Sequence, residues 1–171
     1  MIQVNYKLTE QEIYKSLLDI SKSRVVTNVM RIIGFILLAV MLFLIAAGLR
    51  RGGFDISLGN TFPIFLALYL IFLSEITAKF QTPSLIKNKN PFTEQTQVKI
   101  YETGFRVKGE TFNNQFQWEK LNSIIETPDF FVLKETEVLA TVIPKRVLTQ
   151  EDATQLKSII SNVTGPKIKL L

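Results

Sequence analysis

The chain has 171 residues, room for one ordinary domain or for a membrane hairpin beside a domain of about 90 residues. Hydrophobic residues make up 47% against 20% charged, mean hydropathy is +0.21, and the apolar excess lies in residues 32–80, so the chain reads as mixed membrane and soluble. Cys and His are both absent, which excludes disulfides, thiolate nucleophiles, Cys or His metal sites and imidazole chemistry; the net charge of +5 thins to 12 Lys/Arg against 10 Asp/Glu over residues 81–171, no footprint for nucleic acid.

The opening IQVNYK alternates Ile2, Val4 and Tyr6 with polar residues and predicts a short strand. Thr9 stands three residues before Glu12 as a capping box, and Leu8, Ile13, Leu17 and Ile20 follow at helical spacing, an amphipathic helix over 10–21. Strand and helix together make an N-terminal segment, 1–24. Residues 32–49 are apolar without a charge, flanked by Arg31 and by Arg50-Arg51, long enough to span a hydrocarbon core and too late and long for a signal peptide. After the glycine-rich RRGGFDISLGN, Thr61-Phe62-Pro63 opens a second helix with Pro63 in its first turn. It reaches spanning length only by continuing through Glu75 to Phe80; Glu75 and Lys79, four residues on, can both snorkel to the interface there, the alternative being a buried functional carboxylate. The expectation is a transmembrane hairpin over 25–80, with spans at about 31–50 and 60–80. Ala39 and Ala46 on the first span, and Ala67, Ser74 and Ala78 on the second, offer small-residue seams for close packing.

Residues 81–92, QTPSLIKNKNPF, read as a polar linker. From Thr93 the period becomes two: QVKIY, FRVKG, FQW, SIIE, FFVLK and EVLATVI are six strand candidates separated by short turns, an antiparallel meander. A C-terminal helix follows, capped by Thr149 with Asp152 and striped by Leu156, Ile159, Ile160 and Val163. The predicted fold class is α+β with membrane helices: a two-helix hairpin plus a small antiparallel β-barrel or sandwich over 93–171, plugged by that helix, with Trp118 as its structural core anchor. The order YKLTEQEIYKSL, two spans, IYETGFRV, FQWEKLNSIIETPDFFVL and VIPKRVLTQEDATQL resembles the YcxB-like family of bacterial membrane proteins. That resemblance implies a C-terminal domain like the pleckstrin-homology (PH) fold and a place in the bacterial inner membrane. It implies no activity and no functional residues.

No nucleophile elbow, Walker loop, dinucleotide fingerprint or zinc pattern is present, and Glu102, Glu126 and Asp129 sit at presumed turns or strand ends without converging. The reading is therefore non-enzymatic, with no catalytic residues, cofactor or metal. Basic residues are the candidates for contact with lipid or a partner: Lys79, Lys87 and Lys89 after the second span, and Lys145 and Arg146 after Pro144. The same flanks mark topology. Lys15, Lys22, Arg24, Arg31, Lys79, Lys87 and Lys89 outnumber Arg50 and Arg51 of the hairpin loop, which predicts both termini in the cytoplasm. The leading expectation is a non-enzymatic inner-membrane binding or regulatory module whose β-domain, held among membrane lipids, contacts a membrane-protein partner or anionic lipid. The alternatives are an immunity protein against a membrane-acting toxin and an accessory subunit of a transporter or channel.

Overall fold

The computed structural model describes residues 1–50, 53 and 57–171, and the chain falls into two compact units. Arg51, Gly52 and residues 54–56 of the glycine-rich loop lie outside the described residues. The first unit joins residues 1–20 to residues 79–171, and the second is residues 21–78. Each is taken by itself.

In the first unit, β1 (Ile2–Tyr6) pairs along its whole length with β2 (Thr96–Ile100), Ile2 opposite Ile100 and Tyr6 opposite Thr96. The N-terminal strand is thus an edge of the sheet rather than part of a separate segment, and its alternation puts Ile2, Val4 and Tyr6 inward. β3 (Gly104–Lys108) and β4 (Asn113–Gln117) complete an antiparallel sheet in the order β1-β2-β3-β4. The second sheet runs β7 (Ala140–Pro144), β6 (Phe130–Lys134), β5 (Ser123–Glu126), with a short β8 (Lys167–Lys169) added in parallel to β5.

A closed barrel does not form: the fold is two sheets with no ladder between them among the described residues. The physical reason lies at Trp118. The chain leaves β4 in a 3-10 turn, Trp118–Lys120, that swings the indole inward and ends strand pairing before β5 begins. Trp118 therefore sits in a turn and not in the strand expected for FQW. At the other seam, the Tyr6 hydroxyl donates to the carbonyl of Val142 in β7 at 2.6 Å, joining the sheets through a side chain where no backbone ladder runs.

Phe105, Trp118, Ile124, Phe131, Leu133 and Ile143 are almost fully buried between the sheets. Helix α1 (Glu10–Lys22) contributes Ile13, and the C-terminal helix, labelled α5 (Gln150–Ser161), contributes Leu156 and Ile160. Both capping boxes form: the backbone N–H of Thr9 donates to Glu12, and Thr149 exchanges hydrogen bonds with Asp152. Gly104 is required by a close approach, since a Cβ there would lie 2.0 Å from the carbonyl oxygen of Phe116. Gly104→Ala is expected to lower stability by roughly 2 kcal/mol or more by forcing β3 and β4 apart, read as an earlier urea midpoint at unchanged slope.

In the second unit, α2 (Val25–Arg50) carries an 18-residue window of mean hydropathy 3.0 of which 11% is buried. It is long and apolar enough to cross a membrane. The second predicted span is not one helix. It breaks into α3 (Leu58–Ile71) and α4 (Leu73–Lys87), bent by 64° at Phe72. Because α3 starts at Leu58, Pro63 falls beyond its first turn. The α2–α3 contact is built around Gly34, where a Cβ would meet the carbonyl of Ala67 at 2.9 Å. Thr27, Gly34 and Met41, seven residues apart, are the buried seam of α2, whereas Ala39 and Ala46 point outward. Ala67 of α3 and, beyond the bend, Ser74 and Ala78 of α4 are also buried.

The 81–92 segment is not an open linker either. α4 runs through Pro83 to Lys87 and stops in a C-terminal cap in which Lys89 adopts φ 47° while the Asn90 and Lys89 N–H groups reach back to the carbonyls of Leu85 and Ile86. Asn90 then caps the next turn by accepting from the Phe92 N–H. Asn and Pro here terminate a helix instead of loosening a chain.

Candidate functional site

The five basic candidates fall into two settings. Lys79, Lys87 and Lys89 lie exposed along the last turns of α4 and its cap, with Leu85 of the same stretch packed on the core. Lys79 and Lys87, eight residues apart, are roughly 80° apart around the helix axis, and Lys89 follows the helix end. The left-handed backbone at Lys89, which glycine would adopt more cheaply, projects the last of these charges just past the helix end.

Lys145 and Arg146 instead occupy the 3-10 turn after β7 and are engaged within the chain. Arg146 donates through Nε and a terminal nitrogen to both carboxylate oxygens of Glu12, and to the carbonyl of Lys7 at 3.0 Å. This fork ties the start of α1 to the end of β7. The Arg146 hydrogen bonds outweigh partial desolvation and hold the Glu12 carboxyl down at about 2.

Lys145 turns to Glu126, and the sequence reading missed this centre. Glu126 ends β5 with 2% of its side chain exposed, and it receives Lys145 Nζ at 2.6 Å, Lys157 Nζ of α5 at 2.8 Å and the backbone N–H of Leu171 at 3.0 Å. Burial alone would raise this acid, but those three donors outweigh it and leave its pKa below the ordinary carboxylate range. Lys145 also lies 5.3 Å from the centre of the Phe131 ring. Glu126 thus joins β5, the turn after β7, helix α5 and the segment after β8. The only sequence signal was an acid closing an otherwise apolar strand.

In the second unit Glu75 pairs with Lys22 at 2.9 Å and not with Lys79. Ser74 beside it receives the Ser21 hydroxyl at 3.2 Å and the Arg31 guanidinium at 3.5 Å. One oxygen of Glu75 and Nε of Arg24 are buried without a hydrogen-bond partner. This polar cluster sits two to three residues past the helix break at Phe72.

Trp118 is 1% exposed, donates Nε1–H to the carbonyl of Tyr101 at 3.0 Å, and lies 5.0 Å from the Phe105 ring centre. Its polar atom is satisfied by the protein, so the ring serves the core. Among the described residues no cluster of acids is arranged to hold a metal.

No curated protein and no solved structure matches this chain. Residues 100–160, from the end of β2 to the second-to-last residue of α5, match the family model described as YcxB-like protein, which supports the likeness to that family over those residues.

Proposed function

We propose that the chain is a non-enzymatic, membrane-tethered binding module that presents a PH-like two-sheet unit to a protein partner or to anionic lipid at the inner face of the bacterial cytoplasmic membrane. The observation that carries this reading is the surface of the inserted hairpin. Ile32, Phe35, Ile36, Leu42 and Phe43 of α2, and Phe62, Phe65, Tyr69 and Phe72 at α3, are about half exposed or more. A continuous apolar surface of that kind is stable against acyl chains and costly in water. The insertion also leaves and re-enters the sheet between two paired strands, because Tyr6 at the end of β1 stands opposite Thr96 at the start of β2. Lys79, Lys87 and Lys89 are the charges offered to anionic headgroups, each worth about 1 kcal/mol near such a leaflet.

Because the chain lacks cysteine, single replacements report topology cleanly. Ser57→Cys is expected to react with a membrane-impermeant maleimide in intact cells, and Ser158→Cys, exposed on α5, only after lysis. The reverse pattern would move the two-sheet unit outside the cytoplasm and remove this reading.

A second reading, an accessory subunit of a transporter or channel, is favoured by the helix break and the Lys22–Glu75, Arg31–Ser74 cluster behind it, since interrupted helices with intramembrane polar groups mark ion and substrate paths. Replacing the hairpin with unrelated spans separates the two: a tethered module keeps its activity, a functional hairpin loses it.

A further inference from the structure

A cleft of about 400 Å³ opens among the inner faces of β1, β3 and β4, the Asn90–Phe92 turn, and the start of β7. No α5 residue lines it, so it lies away from the part of the core that α5 fills around Trp118. Its walls include the rings of Phe92, Phe112 and Phe116 and the side chain of Leu139, an apolar lining in the size range of small-molecule sites. Within that lining stands one ionisable acid, Glu135. The carboxylate is half-buried, accepts a hydrogen bond from the Thr141 hydroxyl at 3.0 Å, and is pushed up by burial rather than held down by a cation. The lining contains no Lys or Arg, and burial and the Thr141 hydroxyl, not a cation, act on Glu135; Glu137, two residues on, is exposed and lies outside the lining.

An acid desolvated in an aromatic cleft without a counter-ion is complementary to a cation that brings its own apolar body, because the charge gains a partner and the rings gain a cation–π or stacking surface. We propose that this cleft binds a small organic cation, an ammonium or guanidinium group on an apolar stem, with Glu135 as counter-ion and the three Phe rings around the stem. A free small molecule is the occupant, not a peptide strand laid along β7. That edge is already occupied where Tyr6 binds the Val142 carbonyl, and Pro144 has no N–H to offer a ladder.

The proposal rests on reading the two-sheet unit as a binding module, but not on its tether. The test uses the full chain in lipid nanodiscs and three congeners, 4-phenylbutylamine, 4-phenylbutanol and 4-phenylbutanoate, with ligand-observed NMR titrations corrected by empty nanodiscs for partitioning. The amine is expected to bind at least about tenfold more tightly than either congener. Glu135→Gln is expected to erase that preference while the melt stays within a few degrees, and Glu137→Gln to keep it. Equal affinities for the three congeners, no binding beyond the empty discs, or a preference that survives Glu135→Gln would each overturn the site. A capped lysine tripeptide that outcompetes the free amine would overturn the small-molecule assignment. Such results with the maleimide pattern intact remove the ligand and leave the tethered module standing; a reversed maleimide pattern with the amine preference intact does the opposite.

Discussion

Trp118→Ala is expected to cost roughly 3–5 kcal/mol, most of the stability of a unit of this size, and to leave the two-sheet unit unfolded or close to it at 37 °C. The indole is 1% exposed and fills the region between Phe105 and the inner side of α5, where Leu156 and Ile160 are fully buried. Truncation would open an apolar void too poor in polar partners to recruit water, and it would leave the carbonyl of Tyr101 without its donor. It would also loosen the turn that directs the chain from one sheet to the other, since Trp118 is the first residue of that turn. Trp118→Phe separates these effects. It keeps a ring against Phe105 but loses the Nε1–H bond and part of the volume, and it is expected to fall between wild type and Ala at about 1–3 kcal/mol. The measurement is urea unfolding of the full chain followed by hydrogen exchange of the β2 and β3 amides. The full chain is necessary because a fragment starting at residue 93 would lack β1, strip the partner from β2 and remove the Tyr6 bridge to Val142. An alanine variant that melts within a few degrees of wild type would show the indole to be peripheral to folding.

How much of this was legible depended on whether the physics was local. The alternation in QVKIY and FRVKG located β2 and β3 to within a residue or two, because one face of each is the more deeply buried; SIIE and FFVLK located β5 and β6 as short apolar runs between turn signals, and β6 is buried on both faces. The capping boxes at Thr9 and Thr149 were equally local. β8 left no pattern: its three residues, Lys167–Lys169, are all exposed and joined by backbone bonds to β5. The break at Phe72 was hidden for the opposite reason. The run PIFLALYLIFL is uniformly apolar and carries no Gly or Pro at the bend, so composition gives no sign of it. In α2 the visible alanines misled, because Thr27, Gly34 and Met41, a mixed set in size and polarity, form the buried row. The functional groups were the least legible. Glu126 meets Lys145 and Lys157 across 19 and 31 positions of sequence, and Glu135 looked like any acid in a turn until the cleft around it was seen. Lys145 and Arg146 looked like a free basic pair; their carboxylate partners come from elsewhere in the fold.

The Glu126 centre sets up the second large effect, and its sign reverses with the partners. In the wild type the three donors hold the folded-state pKa of Glu126 below its unfolded value, so the group contributes stability above the ordinary carboxylate pKa and loses it as pH falls through the depressed one. Lys145→Met combined with Lys157→Met removes both cations while the carboxylate stays 2% exposed. Burial then acts with only the Leu171 N–H against it, and the folded-state pKa is expected to rise above the unfolded value. The double variant should lose roughly 3–5 kcal/mol at neutral pH, because an uncompensated buried charge must be either carried or neutralised by taking up a proton. Each single variant should lose far less. One lysine remains to pair with Glu126, and the exposed part of each side chain, 28% for Lys145 and 39% for Lys157, means that solvent already screens some of the attraction. On acidification the two proteins should diverge from their neutral behaviour in opposite directions. The Glu126 contribution in the wild type weakens, whereas in the double variant protonation relieves the buried charge, so the stability gap narrows from neutral pH toward pH about 4. Glu12 does not confuse the comparison: its pKa of about 2 in the folded state is set by Arg146, which both proteins keep, and its contribution cancels in the difference. Denaturant unfolding of both proteins across that range measures the gap directly. A gap that stays constant with pH would mean the lysines act through packing of their stems against Phe131 and α5, and that Glu126 reaches solvent well enough to do without them.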